Sequence, residues 1–185
     1  EIFGIDTHIV LPVNANQGKV ESMKLLGAKV IFHGKDFDDA RQHAEYLSVH
    51  NGYRYVHSAN EPLLISGAAT YSLEIIEQVP NPEIIIVPIG GGSGACGTCI
   101  VANGQNNKID VIGVQSSNAP AAYNSWRTGR IQESKMETVA EGLATRVGFK
   151  LTQTILTRML RDFILVSDDE VQQSISAHLK YTHNL

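Results

Sequence analysis

The stretch "IIIVPIGGGSGACG", residues 84–97, decides the reading of this chain. An apolar run ending in Val87-Pro88-Ile89 has the character of a buried strand, and Gly90, Gly91, Gly92, Ser93 and Gly94 follow at once. A parallel strand that enters glycines and then a helix gathers backbone N–H groups at one spot. The positive end of the helix dipole adds to them, so the turn favours a phosphate. Glycine lets the backbone approach closely and adopt positive φ. Ser93 adds a hydroxyl donor, and the C-terminal edge of a parallel sheet is where α/β proteins bind ligands.

The kind of phosphate is narrowed by what surrounds the loop. No Lys-Ser/Thr follows the glycines, which argues against a nucleoside-triphosphate loop. Gly92-Ser93-Gly94-Ala95-Cys96-Gly97 does match the dinucleotide pattern G-x-G-x-x-G. The acid expected at the end of the next strand is absent, because "DVIGVQ" ends in Gln115. A tight turn with close helix–strand packing is the bland alternative. A monophosphate cofactor suits the run of glycines better.

Outward from the loop, strands are expected at 8–12, 28–32, 53–57, 83–89, 110–115 and 163–167. Their apolar residues are nearly continuous, as in strands covered on both faces. Helical patterns lie between them at 18–26, 36–50 and 61–79. A last helix begins after Ser167, which has capping-box spacing to Glu170. This alternation predicts an α/β fold of open, mostly parallel sheets with flanking helices. A boundary near Asn51-Gly52 divides the chain into 1–50, part of a small lobe, and 51–185, part of a larger phosphate-binding lobe.

At 185 residues the chain can bury one good core or two small ones, and 43% hydrophobic with 18% charged residues is ordinary globular composition. The net charge of −4 and the lack of a basic cluster argue against nucleic acid and anionic membranes. No stretch reaches membrane-span length and no signal peptide opens the chain, so a cytoplasmic protein is expected. Cys96 and Cys99 have C-x-x-C spacing but no second pair, and read as small packing residues of the helix after the glycines.

The loop and its flanks resemble the fold-type II pyridoxal-phosphate enzymes, and among them threonine/serine dehydratases and serine racemases. Val87 to Gly94 looks like the family's V-P-x-G-G-G-S-G. "GAKVIFHGKDFDDARQHAEYL" (27–47), "HSANEPLLISGAATYSLEIIEQVP" (57–80), "VIGVQSSNAPA" (111–121), "VAEGLATRVG" (139–148) and "SDDEV" (167–171) follow in family order. The resemblance implies a two-lobed architecture, here incomplete at both ends, with pyridoxal 5'-phosphate as cofactor. Gly90, Gly91, Gly92, Ser93 and Gly94 would bind its phosphate. Gly142 matches the glycine whose backbone lies against the pyridine ring, where a side chain would collide. The racemase-type metal site is not expected, since Gln115 and Ala121 stand where its acids would be.

The family's chemistry needs a lysine that holds the cofactor as a Schiff base and moves the substrate's α proton. In the family that lysine sits in an upstream S-x-K-x-R-G-like segment, and no such segment occurs here. The S-x-G-N-H motif and the terminal Ser or Cys that pairs with the ring nitrogen are missing too. Lys19, Lys24, Lys29, Lys35, Lys108, Lys135, Lys150 and Lys180 read as solvated surface charges. No catalytic residue is therefore expected in the chain, which looks like the middle of an enzyme and lacks activity alone.

Of the histidines, His57 is the best candidate for a polar contact, although a structural hydrogen bond explains it as well. Asp168, Asp169 and Glu170 read as first-turn partners of a helix dipole. Tyr123 and Trp126, at helical spacing, read as packing residues.

The resemblance implies an ammonia-lyase that turns a small hydroxy amino acid into a 2-oxo acid and ammonia, in a homodimer or higher oligomer. Two alternatives stay open. One is a non-catalytic phosphate-binding or interaction module derived from the fold. The other is a different reaction of the same family: racemase, threonine synthase or cysteine synthase.

Overall fold

A computed structural model describes residues 3–104 and 109–183. The chain divides into two compact units, Glu1–His57 and Ser58–Leu185. In the first, β1 (His8–Leu11) pairs in parallel with β2 (Lys29–Phe32), joined by α1 (Gln17–Leu25) and followed by α2 (Phe37–Asn51). Asn16 caps α1 by accepting from the Lys19 N–H, and Gly27 then turns the chain with φ +86°. Asp36 caps α2 through the Asp39 N–H.

The sequence pattern places a boundary at Asn51-Gly52, whereas the compact units divide after His57. The reason is local. Gly52 is the left-handed C-cap of α2, and the segment after it folds back on that unit. The Tyr53 N–H donates to the Ser48 carbonyl, and the Tyr53 ring stacks on His8. Residues 53–57, expected as a strand, do not form one. Their pattern suits a strand, but among the described residues no neighbouring strand supplies the ladder hydrogen bonds.

The second unit is built on a three-stranded parallel sheet in the order β3 (Ile84–Pro88), β4 (Asp110–Ser116), β5 (Asp162–Val166). Helices α3 (Pro62–Gln78), α4 (Ser93–Gly104), α5 (Ala121–Thr128) and α6 (Lys150–Met159) cover one face. The core joins Ile85, Val87, Ile89, Val111 and Phe163 of the sheet side to Ile65, Cys96 and Leu156 of the helices. Tyr123 and Trp126 lie edge-on to Phe163, which makes them the packing residues expected from their spacing.

Two glycines of this core are spaces for neighbours. A Cβ on Gly113 would meet Ile89 Cδ1 at 2.4 Å. A Cβ on Gly97 would lie 2.8 Å from the Ala69 backbone, so α3 and α4 touch there with no side chain between them. The other sheet face differs from the expectation of two covered faces. Ile84, Ile86 and Ile164 on it are 53%, 67% and 45% exposed. The near-continuous apolar pattern records a face that this chain leaves open.

The last helix, α7 (Asp168–Thr182), starts with the expected capping box. The Ser167 hydroxyl accepts from the Glu170 N–H while the Glu170 carboxylate accepts from the Ser167 N–H. No helix among the described residues is long and apolar enough to cross a membrane.

Gly97→Ala pushes a methyl against unyielding backbone. It should destabilise the second unit by about 1–3 kcal/mol, read from the midpoint of urea unfolding. Replacing Ile86 and Ile164 by Thr should reduce self-association of the chain in light scattering and leave its far-ultraviolet circular dichroism unchanged.

Candidate functional site

The candidate site lies where β3 gives way to α4. The Ile89 N–H still donates to the Val114 carbonyl (2.8 Å), so pairing with β4 extends to the last residue before the glycines. Gly90 and Gly92 are buried, whereas Gly91, Ser93 and Gly94 are partly open. Gly92 takes φ +95°, a left-handed conformation that strains any other residue, and its carbonyl accepts from Cys96 N–H at 2.9 Å. The N–H groups that precede this bond have no carbonyl one turn back and point out of the helix end.

Three segments close around the turn. A Cβ on Gly90 would lie 2.6 Å from the Gly142 carbonyl oxygen. One on Gly91 would lie 2.6 Å from Ala59 Cβ and 3.3 Å from Phe149. The Asn60 side chain accepts from the Leu151 N–H (2.8 Å), binding the Ala59 segment to the start of α6. The Gly94 carbonyl accepts from Thr98 Oγ1 (3.0 Å) and from the Tyr71 hydroxyl (3.1 Å), and Ser72 and Tyr71 both meet Thr98 Oγ1. The turn is thereby held from α3, α4 and α6 together. The Ser93 hydroxyl has no partner among the described residues, so it is available to a ligand.

Gly142 sits in a 3-10 turn, Glu141–Leu143. Its φ is not in the left-handed range, and a Cβ there would meet nothing within 4 Å. Neither the backbone nor a protein neighbour requires glycine at this position. The open space beside Gly142, next to a glycine turn with free donors, fits a flat ring carrying a phosphate.

Sequence reasoning missed one group here. Asp168, read as a dipole partner, accepts from Thr138 Oγ1 (2.7 Å), Ser116 Oγ (2.8 Å) and the Val139 N–H (2.9 Å). The Thr138 hydroxyl, then the Val139 N–H and Ser116, lower its carboxyl to about 2. No local pattern signals this, because its partners lie 29 to 52 positions away.

The other candidates have other settings. His57 belongs to the first unit, edge-on to Tyr55, with burial lowering its pKa. Cys96 and Cys99 are free and buried, and burial raises both thiols to about 12, which makes them inert packing groups. Lys29 pairs with Asp6, Lys24 lies over Phe32 and Lys180 over Tyr181. Lys150 lines a surface cleft with Arg130 and Arg158, and Lys108 lies outside the described residues. Gln115 is fully buried, and its side-chain oxygen is used by the Tyr123 N–H. Among the described residues no group of His, Cys, Asp and Glu could hold a metal ion.

Unpaired N–H groups at a helix start, set at the C-terminal end of a parallel strand, suit an anionic ligand. A family model described as pyridoxal-phosphate dependent enzyme matches residues 1–180, and the chain belongs to that family. It is 34% identical to an L-threonine ammonia-lyase of Thermotoga maritima, over 95% of this chain and 44% of that protein. It is 33% identical to the catabolic L-threonine dehydratase TdcB of Staphylococcus aureus, over 95% of this chain and 51% of that one. The chain thus spans about half the length of the curated relatives it matches.

Among solved structures, maize serine racemase superposes with a TM-score of 0.91 at 29% identity, covering 99% of this chain and 56% of that one. The processed threonine deaminase isoform 2 of Solanum lycopersicum does so with 0.89 at 27%, covering 97% and 53%.

A carboxyl near 2 when folded and about 3.9 when unfolded contributes stability that is complete above the unfolded value. That contribution is lost as pH falls through about 4 toward 2. Urea midpoints taken from pH 5 to pH 2 should therefore fall less steeply in Asp168→Asn than in the unaltered chain.

Proposed function

We propose that the complete protein is a pyridoxal-phosphate-dependent ammonia-lyase of threonine/serine dehydratase type. It would convert a small hydroxy amino acid to a 2-oxo acid and ammonia. The carrying observation is the cradle of Gly90 to Gly94 with the Gly142 turn packed on it, in a chain whose relatives include threonine ammonia-lyases.

In this reading the N–H groups at the start of α4 and the Ser93 hydroxyl bind the cofactor phosphate. Bound there, pyridoxal phosphate supplies an electron sink for loss of the substrate's α proton. The Gly142 backbone offers the ring an unobstructed face. Tyr71 and Thr98 hold the Gly94 carbonyl, which keeps the adjoining N–H groups turned toward the phosphate.

The Schiff-base lysine is assigned to a part of the protein outside these residues, so the 185-residue chain by itself does not turn over. A cytoplasmic homodimer or higher oligomer, with a small-molecule substrate and neither nucleic acid nor membrane as partner, completes the proposal. A metal-dependent racemase is disfavoured by Gln115, whose amide oxygen is already engaged, and by Ala121.

The complete gene product, given L-serine or L-threonine, should release 2-oxo acid and ammonia in equal amounts. Racemised amino acid without 2-oxo acid would overturn the lyase assignment. Gly91→Asp, which sets a carboxylate in the cradle against Ala59, should weaken cofactor retention at least about tenfold. Borohydride reduction of the 185-residue chain with pyridoxal phosphate should label no single lysine. One specifically labelled lysine, protected by inorganic phosphate, would place the Schiff base within these residues instead.

A further inference from the structure

Asp168 occupies the first turn of α7, yet it does not cap that helix. Ser167 and Glu170 already satisfy the α7 terminus. The Asp168 carboxylate serves other segments. Oδ1 accepts from Ser116 at the end of β4 and from Thr138, and Oδ2 accepts from the Val139 N–H. The Thr138 hydroxyl also accepts from the Ala140 N–H at 3.1 Å. Two residues on, the Gly142 carbonyl lies against Gly90. One carboxylate therefore ties the C-terminal edge of the sheet to the loop that carries Gly142.

We propose that Asp168 is a positioning residue for the cofactor: it latches loop 138–143 so that the Gly142 backbone stands at a set distance from the Gly90–Gly94 cradle. The inference rests on the cofactor reading above. Its chemistry is that of an ionised acceptor taking three donors, each bond stronger than its neutral counterpart. The Asp168 bonds reach the loop from another element, whereas the Leu143, Ala144 and Thr145 N–H groups bond only within it. Glu141 and Gly142 are exposed, and the turn at Glu141–Leu143 has no side-chain cap.

A latch on the ring face makes a prediction that general damage to the fold does not. Inorganic phosphate needs only the glycine cradle, whereas pyridoxal phosphate needs the cradle and the ring face. In the complete gene product, Asp168→Ala should raise the dissociation constant for pyridoxal phosphate about tenfold, as expected when charged hydrogen bonds are lost. Its affinity for inorganic phosphate should stay unchanged. The visible circular dichroism per bound cofactor should fall, and the amides of 139–143 should exchange at least about tenfold faster in the protein without cofactor.

Asp168→Asn keeps part of the hydrogen bonding and should lie between. Thr138→Val removes one donor and supplies a milder variant where Asp168→Ala does not fold. Asp169→Asn, on the exposed neighbour, should behave as wild type. Equal weakening of both ligands, or unchanged exchange in 139–143, overturns the latch while the cofactor reading stands. A wild-type protein that binds neither ligand overturns the cofactor reading and this inference together.

Discussion

The structure of the second unit depends on a space in which no side chain fits. Where β3 ends, the backbone at Gly90 and Gly91 meets the Gly142 carbonyl and Ala59 so closely that a Cβ would stand 2.6 Å from either. A turn this tight brings α4 directly over the sheet and leaves its first N–H groups without partners. The same absence of side chains that permits the approach leaves those donors open to a ligand. In the proposed function, packing and cofactor binding are one constraint, and relaxing it for either spoils the other.

Around that turn, the protein uses hydroxyl groups and one carboxylate where it could have used apolar contact. Tyr71 and Thr98 converge at the Gly94 carbonyl with Ser72 bonded to Thr98, and Ser116 and Thr138 converge on Asp168. Directional hydrogen bonds set angles as well as distances, which a loop of glycines cannot do for itself. The apolar core beneath supplies the bulk of the burial. The polar contacts decide which way the exposed N–H groups and the Gly142 turn face.

Reading and structure part company in instructive places. Residues 53–57 have strand composition, but a strand exists only with a partner, and none of the described strands lies beside them. The isoleucines of β3 and β5 are apolar on both faces, yet one face is open in this chain, because composition records what a strand is suited to cover rather than what covers it. Asn51-Gly52 reads as a boundary between lobes, and in the fold Gly52 is the left-handed cap of α2.

The sequence by itself determined five of the strands with the helices between them in the glycine-turn region and first unit, the glycine turn with its family context, and the α7 capping box, but not α5 or α6. Each follows from properties that act within a few residues: side-chain size, accessible φ and helix-end hydrogen bonding. Only the tertiary structure decided that Gly142 lies on Gly90, that Tyr71 and Thr98 hold Gly94, and that Asp168 turns from its own helix to Thr138, Val139 and Ser116. Apart from the Thr98–Gly94 bond inside α4, those contacts join residues 23 to 52 positions apart. A hydrogen bond between distant residues has no local signature until the fold brings its two ends together.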